Sequence, residues 1–317
     1  MTPNLKPLRL GLIGAGRWAR IYAKTIATLP DVCIARIARR SSAPPDFAPA
    51  GVEFTTDWKA VATARDLDGV IIATPPALHA EMALAAVQSG LPVLVEKPLA
   101  MNLGEAQRLR DASVKHATLV MVEHTHLFSP AFREIMKIAT GLGPVRGTVS
   151  EAGNWGPFRS DIPILWDWGA HDVAMCMALT GAMPARARAR IEESRMTPDG
   201  PGETVSIHLE FPGGVISDIR LSNMLSGKTR FLSAYFDSCC MLYDDVSPVK
   251  LARLAPVTPP TSPDRATAQP VAAPAGMPLT VAVREFCAAI RIGATDRSSL
   301  DLGVNVVDVL EQCARSM

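Results

Sequence analysis

The stretch LRLGLIGAGRWAR, Leu8 to Arg20, joins an apolar run to a helical pattern through a glycine-rich turn. Gly14, Gly16 and Ala19 stand at the G-x-G-x-x-G/A spacing of dinucleotide-binding chains. The first glycine permits a tight turn, the second lets a pyrophosphate approach the backbone, and the small third residue lets the helix pack on the strand. The turn opens a helix, whose N-terminus favours anions. This stretch therefore predicts a dinucleotide-binding unit.

Short apolar runs alternate with helical patterns through the first 123 residues, which is typical of βαβ units and a parallel sheet. Six strands with crossover helices predict a Rossmann-type α/β domain over residues 1–123, with a doubly wound parallel sheet. The predicted strands are Leu8–Ile13, Val32–Ala38, Val52–Thr55, Gly69–Ala73, Val93–Glu96 and Thr118–Val122. The predicted helices are Ala19–Leu29, Trp58–Ala64, His79–Ser89 and Gly104–His116.

After residue 123 the pattern changes to a helix and a succession of strand-like segments, which predicts an α+β domain with an open, mainly antiparallel sheet. We assign residues 124–317 to this second domain, for substrate binding and oligomerisation. The segment HLEFPGGVISDIRL is the clearest hairpin, because Pro212-Gly213-Gly214 separates two alternating runs. Residues 256–278 contain seven prolines, which excludes a helix or a central strand and predicts a surface loop. Two helices, near 279–292 and 300–315, follow.

The bulk properties exclude several classes of protein. A net charge of +1 gives no field for gripping nucleic acid or an anionic membrane. The six cysteines show no C-x-x-C spacing, so neither a disulfide framework nor a zinc site is expected. No stretch reaches the roughly 18 apolar residues of a membrane span, and the first 20 residues lack the pattern of a secretory signal. We therefore expect a cytoplasmic protein with no nucleic-acid or membrane partner.

The end of the second predicted strand bears on which dinucleotide is bound. NAD-binding chains usually place an acid there for the ribose hydroxyls, whereas IARIARRSS ends in Arg39, Arg40, Ser41 and Ser42. Guanidinium and hydroxyl groups suit a 2′-phosphate through charge-assisted hydrogen bonds. The sequence therefore predicts NADP(H) in preference to NAD(H), with a solvated basic loop as the alternative.

Four motifs follow one another along the chain in the order GAGRWAR, ATPPALHAE, VLVEKPLA and DWGAHD. With these motifs the chain resembles, over essentially its whole length, the glucose–fructose oxidoreductase, inositol dehydrogenase and rhizopine-catabolism (Gfo/Idh/MocA) superfamily. The resemblance implies that Lys97 lies beside the nicotinamide and hydrogen-bonds the carbinol oxygen that gains or loses a proton. It also implies that Glu96 orients the lysine or touches the nicotinamide ribose, and that the peptide before Pro98 is cis, as in many relatives. The alternative is an ion pair that caps a strand.

Asp167 and His171 are four residues apart, so their side chains share one face if the segment is helical. The resemblance implies that Asp167 binds the substrate and that His171, close to Lys97, is a general acid or base, a role that suits an imidazole. The alternative is a helix cap at Asp167 and a buried histidine between domains. Asp172 is expected to be a supporting or capping group.

Further contacts are expected around the two ligands. Trp155 and Arg159, within NWGPFRSD, have the composition of a sugar-recognising loop. Glu123, His124 and His126 in EHTHLF lack a further carboxylate or cysteine to complete a metal site, so no metal is predicted. The resemblance implies that Thr74, Pro75, Pro76 and His79 lie under the nicotinamide. Arg17 and Trp18 are also expected to bind the cofactor, and the alternative for Trp18 is a buried tryptophan at the helix start.

These patterns together predict an NADP(H)-dependent oxidoreductase that moves a hydride between the nicotinamide and a secondary alcohol or ketone of a sugar, nucleotide sugar or related polyol. One alternative is a sugar- or cofactor-sensing regulatory protein on the same fold. Another is a glycoside hydrolase assisted by bound NAD. An open sheet would otherwise leave an apolar face uncovered, so we expect a homodimer or homotetramer that associates through the C-terminal sheet.

Overall fold

The computed structural model describes residues 6–41, 43–256 and 264–317. Its first part is a six-stranded sheet in the order β3-β2-β1-β4-β5-β6, and every neighbouring pair is parallel. This doubly wound order confirms the predicted Rossmann-type sheet. The strands are β1 (Leu8–Ile13), β2 (Val32–Ala38), β3 (Glu53–Thr55), β4 (Gly69–Ile72), β5 (Val93–Glu96) and β6 (Val120–Glu123). The helices are α1 (Arg17–Ile26), α2 (Trp58–Ala62), α3 (His79–Gln88) and α4 (Leu103–His116).

The central strands of this sheet are short, continuous apolar runs because helices cover both of their faces. Every residue of β4 and β5 is buried, including the last, Glu96. Side-chain caps fix two of the helices: Asp57 accepts from the backbone N–H of Lys59 at 2.9 Å, and Asn102 accepts from that of Glu105 at 2.9 Å. Because all six strands are parallel, their carboxyl ends lie together at one edge of the sheet.

The second part of the chain forms an eight-stranded sheet in the order β14-β13-β12-β11-β7-β10-β9-β8. All neighbouring pairs are antiparallel except β7 with β10. The mainly antiparallel sheet is confirmed. Its strands are β7 (Gly147–Trp155), β8 (Arg186–Thr197), β9 (Gly200–Glu210), β10 (Ile216–Ser222), β11 (Met224–Tyr235), β12 (Cys240–Asp244), β13 (Leu251–Leu254) and β14 (Gln269–Pro270). The remaining helices are α5 (Pro130–Ala139), α6 (Ile164–Asp167), α7 (Gly169–Thr180), α8 (Pro278–Arg291) and α9 (Ser298–Ser316).

The predicted hairpin is the β9–β10 pair, and Gly213 and Gly214 turn between the strands with φ of +79° and +77°. One face of the sheet packs against α7, where a Cβ built on Gly169 would lie 3.3 Å from the side chains of Ile207 and Leu221. The glycine therefore lets the helix approach the sheet closely.

The opposite face of this sheet is charged where β8, β9, β10 and β7 meet. His208 lies 2.7 Å from Asp218, and Arg220 pairs with Glu151 at 2.7 Å. Further along the sheet, the guanidinium of Arg265 lies 4.5 Å above the ring of Phe231. The uncovered part of the face is thus more polar than the sequence led us to expect.

Packing divides the chain into two compact units. One runs to Glu123 and includes Leu279–Val307, and the other comprises His124–Pro278 and Asp308–Met317. The first unit ends at the residue where the sequence pattern changes, and it also contains residues 279–307; the division into domains 1–123 and 124–317 stays a prediction. The side chains of residues 279–307 pack on the parallel sheet: a Cβ built on Gly69 of β4 would lie 2.8 Å from the Ile290 side chain.

The proline-rich segment has little regular structure where it is described. A two-residue strand, β14, pairs with β13 at the sheet edge, and a single 3-10 turn covers Arg265–Thr267. Residues 257–263 of the predicted loop lie outside the described residues. No helix in the described ranges is long and apolar enough to cross a membrane.

Candidate active site

The glycine turn after β1 has the geometry that its motif requires. Gly14 has φ of +122°, and a Cβ there would lie 2.3 Å from the carbonyl oxygen of Ala73. A Cβ on Gly16 would meet no atom within 4 Å, and Ala19 is fully buried. Gly14 is therefore needed for the turn, whereas Gly16 leaves open space at the point where a pyrophosphate would approach.

The N-terminus of α1 is suited to an anion. Gly16 is its N-cap, so no side chain caps the helix, and its first turn contains no acidic residue. Arg17 is exposed beside it. Trp18 is 37% exposed, which excludes the alternative of a buried tryptophan.

The loop after β2 carries the predicted phosphate-binding residues. Arg39 is half-buried, Arg40 and Ser41 are exposed, and Ser42 lies outside the described residues. The acid that follows in this loop, Asp46, accepts two hydrogen bonds from the guanidinium of Arg20, at 2.7 and 2.8 Å. The Arg20 hydrogen bond is the main cause that lowers the pKa of Asp46, and the charge of Arg39 adds to it. The loop thus offers cations, while its carboxylate is already occupied.

The segment after β4 presents backbone to the same edge of the sheet. Thr74 and Pro75 lead into a 3-10 turn that begins at Pro76, and α3 begins at His79. The His79 ring is 0% exposed, with Nδ1 2.8 Å from the Pro98 carbonyl oxygen and Nε2 2.9 Å from that of Thr74. The buried His79 ring therefore holds these two backbone segments together, which differs from the direct cofactor contact that we predicted.

The end of β5 brings a lysine and a carboxyl cluster together. Lys97 is 7% exposed and Glu96 4% exposed, and the Lys97–Pro98 peptide is cis. Glu96 stands opposite Glu123 in the register of β5 and β6. Burial raises the pKa of Glu96 well above its usual range, the charge of Glu123 raises it further, and the charge of Lys97 opposes both.

Tyr22 of α1 completes this cluster. Its side chain is fully buried, and burial, followed by the charges of Glu96 and Glu123, raises the pKa of its hydroxyl. Because Glu96 is enclosed among these groups, its geometry favours support of Lys97 over contact with the ribose. Tyr22 was not predicted as a site residue, and Glu123 was considered only as a possible metal ligand; the matching ends of two adjacent strands place it opposite Glu96.

The second unit contains Asp167 and His171. Asp167 ends α6, α7 begins at Gly169, and Trp168 between them has right-handed helical backbone angles, so the predicted helical spacing holds. Asp167 accepts from Nη1 of Arg159 at 3.4 Å. Trp168, and not Asp167, is the N-cap residue of α7, which differs from the alternative of a helix N-cap at Asp167.

His171 is buried in a polar layer of the second unit. Its ring packs edge-on to that of His126, with centroids 5.2 Å apart, and Nδ1 of His126 is 2.8 Å from the hydroxyl of Tyr243. Asp172 pairs with Arg230 at 3.3 Å, and burial raises the pKa of Asp172. The pair with Arg230 supports the prediction that Asp172 is a supporting or capping group.

A cavity of about 310 Å³ adjoins Asp167 and contains several charged groups. Arg159 lines it and is also bound by Asp161, at 2.6 and 2.9 Å. Glu203 lines it too, on the face of β9 that carries the buried Val205. The full lining is Pro157, Arg159, Ser160, Ile162, Pro163, Ile164, Asp167, Trp168, Pro201, Glu203 and Asn223.

This lining includes two of the four substrate-binding residues predicted in the second unit, Arg159 and Asp167, but not Trp155 or His171. Trp155 is 46% exposed, and its indole N–H donates to Asp199 at 2.9 Å. Glu203 was missed by sequence reasoning, because only the register of β9 places it on the inner face. Among the described residues, no group of three His, Cys, Asp or Glu side chains could hold a metal ion.

Comparison with known proteins agrees with this geometry. Residues 8–124 match the model of an oxidoreductase family with an NAD-binding Rossmann fold, and residues 147–237 match the C-terminal domain model of the Gfo/Idh/MocA proteins. The chain belongs to the Gfo/Idh/MocA oxidoreductase family. A crystal structure from Magnetospirillum magnetotacticum MS-1, described only as a candidate oxidoreductase, is 40% identical with a TM-score of 0.91 and covers 97% of this chain and 100% of its own.

Curated members of the family are more distant. An inositol 2-dehydrogenase of Corynebacterium glutamicum is 25% identical over 68% of this chain and 67% of its own length. A UDP-N-acetylglucosamine 3-dehydrogenase of Acidithiobacillus ferrooxidans is 27% identical over 57% of each chain. Their names describe one neutral polyol and one nucleotide sugar, so similarity alone leaves the substrate open.

As a Gfo/Idh/MocA member the chain is an NAD(P)-dependent oxidoreductase. Its own residues fit a dinucleotide: Gly16 leaves space for the pyrophosphate, α1 begins without a cap or an acid, and basic residues follow β2. The buried lysine after β5 lies at the carboxyl edge of the sheet, where ligands of such folds bind.

Proposed function

We propose that this protein transfers a hydride between NADP(H) and a secondary alcohol or ketone of a sugar-like polyol. The observation that carries the proposal is the buried Lys97 at the carboxyl end of β5, in a unit whose glycine turn is open to a pyrophosphate. When bound, the nicotinamide accepts or donates the hydride. The protein's own residues bind the two ligands and handle the proton of the carbinol.

The proton roles are assigned to two side chains. Lys97 donates an N–H hydrogen bond to the carbinol oxygen, and His171 is the general acid or base that exchanges the proton. Asp167 binds a substrate hydroxyl as an acceptor. That Lys97 and His171 serve the same proton stays a prediction. Measuring kcat/KM for the two single variants and the double variant tests it, because groups that act as a unit give strongly non-additive losses.

The preference for NADP(H) is supported by the loop after β2. Arg39 and Arg40 have no acidic partner within the hydrogen bonds and ion pairs of the described residues, and Asp46 is held by Arg20. A 2′-phosphate would therefore meet cations, while the 2′-hydroxyl of NAD(H) would find no carboxylate ready to accept. Fluorescence titration with NADPH and NADH tests the preference; equal dissociation constants would contradict it, and Arg40→Ala should weaken NADPH binding alone.

The charges around Asp167 support a neutral or amine-bearing substrate over a nucleotide sugar. The cavity is lined by the carboxylates of Asp167 and Glu203, and the guanidinium of Arg159 is shared with Asp161 and Asp167. The diphosphate of a nucleotide sugar would lie beside these carboxylates, and the guanidinium in the cavity lining is already shared between two aspartates. We therefore propose a polyol or amino-polyol as the substrate.

The test is a panel of neutral polyols, amino-polyols and nucleotide sugars with each nicotinamide cofactor, followed by absorbance. Lys97→Met should reduce kcat by at least about 100-fold, the usual contribution of acid–base catalysis, and leave cofactor affinity largely intact. Lys59→Met, at an exposed lysine of α2, is the matched control.

The outcomes separate the remaining functions. Release of reducing sugar without net absorbance change would indicate the NAD-assisted hydrolase. Ligand binding without turnover would indicate the regulatory protein. Association through the C-terminal sheet also stays a prediction, tested by light scattering of the wild type and of Arg220→Glu on the charged face.

A further inference from the structure

His79 is held between two strand ends in a way that fixes its chemistry. Its ring is 0% exposed, and both nitrogens face backbone carbonyl oxygens, at 2.8 Å for Pro98 and 2.9 Å for Thr74. We propose that His79 is a buried imidazolium, protonated on both nitrogens, and that it is a positioning residue for Lys97.

The donor and acceptor inventory supports the charged form. A carbonyl oxygen only accepts, and a neutral imidazole has one N–H and one lone pair. In the neutral ring one nitrogen lone pair would therefore face a carbonyl lone pair at less than 3 Å. The imidazolium donates to both oxygens, and hydrogen bonds from a charged donor are stronger than neutral ones.

Other charges act on the ring in both directions. His79 is the first residue of α3, where the helix dipole disfavours a cation, and Glu81 in the same turn favours it. The strand end that His79 joins to β4 carries Glu96 and Lys97. Burial of the ring also disfavours the charged form. On our proposal, the two close carbonyl acceptors, which the folded chain holds in place, offset both the burial and the helix dipole.

The bonds of His79 connect the two backbone segments that border the proposed nicotinamide pocket. Thr74 follows β4, Pro98 directly follows Lys97, and β4 and β5 are neighbours in the sheet. The imidazolium therefore fixes the direction in which the chain leaves β5 and with it the position of the Lys97 side chain. Because the ring is fully buried, it supports Lys97 without touching a ligand.

Nitrogen-15 NMR of the whole protein, labelled at its six histidines, tests the charge. At pH 8.5 an ordinary imidazole, with a pKa of about 6.5, is neutral, so a ring with two protonated nitrogens should stand out. His79→Gln should remove that signal and His116→Gln, at an exposed position, should keep it. If the first variant does not fold, ring-proton contacts to Thr74 and Pro98 in the wild type assign the signal. No imidazolium at this pH, or one that belongs to another histidine, overturns the proposal.

The positioning role has a kinetic readout that rests on the proposed function. His79→Gln should lower kcat at least tenfold and change the cofactor dissociation constant less than twofold, because Lys97 is displaced while the glycine turn is intact. Equal losses of kcat and of cofactor affinity would show a general disruption of the fold. If no substrate of the panel is turned over, the proposed function fails, and the NMR measurement alone decides the charge of His79.

Discussion

Replacing Glu96 by glutamine should change how stability depends on pH. Glu96 is buried opposite Glu123, and burial together with the Glu123 charge raises the pKa of its carboxyl above the ordinary value of 4.5. In the folded protein the carboxyl therefore keeps its proton at a pH where the unfolded chain has lost it. The stability that this proton contributes is complete below pH 4.5 and is lost as pH rises through the folded pKa. The glutamine variant has no such loss.

The structure sets the size of the effect. Paired strands lie about 4.8 Å apart, and two carboxylates about 5 Å apart repel by about 3 kcal/mol at an effective dielectric constant of about 20. The free energy of unfolding should fall by up to about 1.4 kcal/mol for each pH unit between the two pKa values. Over one unit this lowers the melting temperature by roughly 2–4 °C relative to the variant.

Thermal unfolding at half-unit steps from pH 4 to pH 8 provides the assay. The difference in melting temperature between Glu96→Gln and wild type should grow with pH. Glu123→Gln should move the end of the fall to lower pH, because the Glu123 charge raises the Glu96 pKa. A difference that is independent of pH would show that Glu96 is ionised throughout, and would refute the reasoning.

Three further outcomes are expected. Gly14→Ala should prevent stable folding of the first unit, because φ is +122° and the new Cβ would lie 2.3 Å from a carbonyl oxygen. Gly16→Ala should leave the melting temperature unchanged and weaken cofactor binding in a titration. A thiol reagent at pH 8 should modify about one cysteine of the native protein, Cys33, since the other five are buried and burial raises the pKa of Cys313 to about 12; Cys33→Ser should abolish the reaction. Glu203→Gln should reduce the ratio of kcat/KM for an amino-polyol to that for the neutral polyol by about tenfold, equivalent to about 1.4 kcal/mol, and an unchanged ratio would remove Glu203 from substrate selection.

The parallel sheet could be read closely from the sequence because its strands are buried on both faces. A short apolar run such as GVII or VLVE, bounded by turn residues, is typical of a strand buried on both faces. Leu8–Ile13, Val32–Ala38 and Val93–Glu96 have the predicted bounds. The glycine turn adds a local requirement for positive φ at Gly14. Both features depend on a few consecutive residues, so sequence alone resolves them.

Features that depend on distant partners were harder to predict. The strand β7, GTVSEAGNW, was not recognised because its glycines and polar residues give no clear alternation; its hydrogen bonds come from β10 and β11, far along the chain. Packing of residues 279–307 on the first unit depends on the fit of Phe286 and Ile290 against Gly69. Neither contact leaves a local pattern.

The candidate site shows the same division. Motif order identified Lys97, Asp167 and His171 as residues to examine, because each lies in a short contiguous pattern. Glu123 and Glu203 became visible only through strand register, which no single segment contains. For the same reason, the two carbonyl partners of His79 could not be inferred from ATPPALHAE.

The charge balance of the β5 terminus explains how a buried strand can end in Glu96 and Lys97. Two ionised carboxylates at Glu96 and Glu123 beside one ammonium would leave a net negative charge in a region that excludes water, which is costly. The raised pKa of Glu96 lets the Glu96–Glu123 pair retain one proton. One carboxylate charge then balances the Lys97 ammonium. The cluster is then close to neutral. On this argument, removing the Lys97 ammonium should raise the pKa of Glu96 further, so Lys97→Met should begin to lose stability at the same pH as wild type but continue losing it to a higher pH.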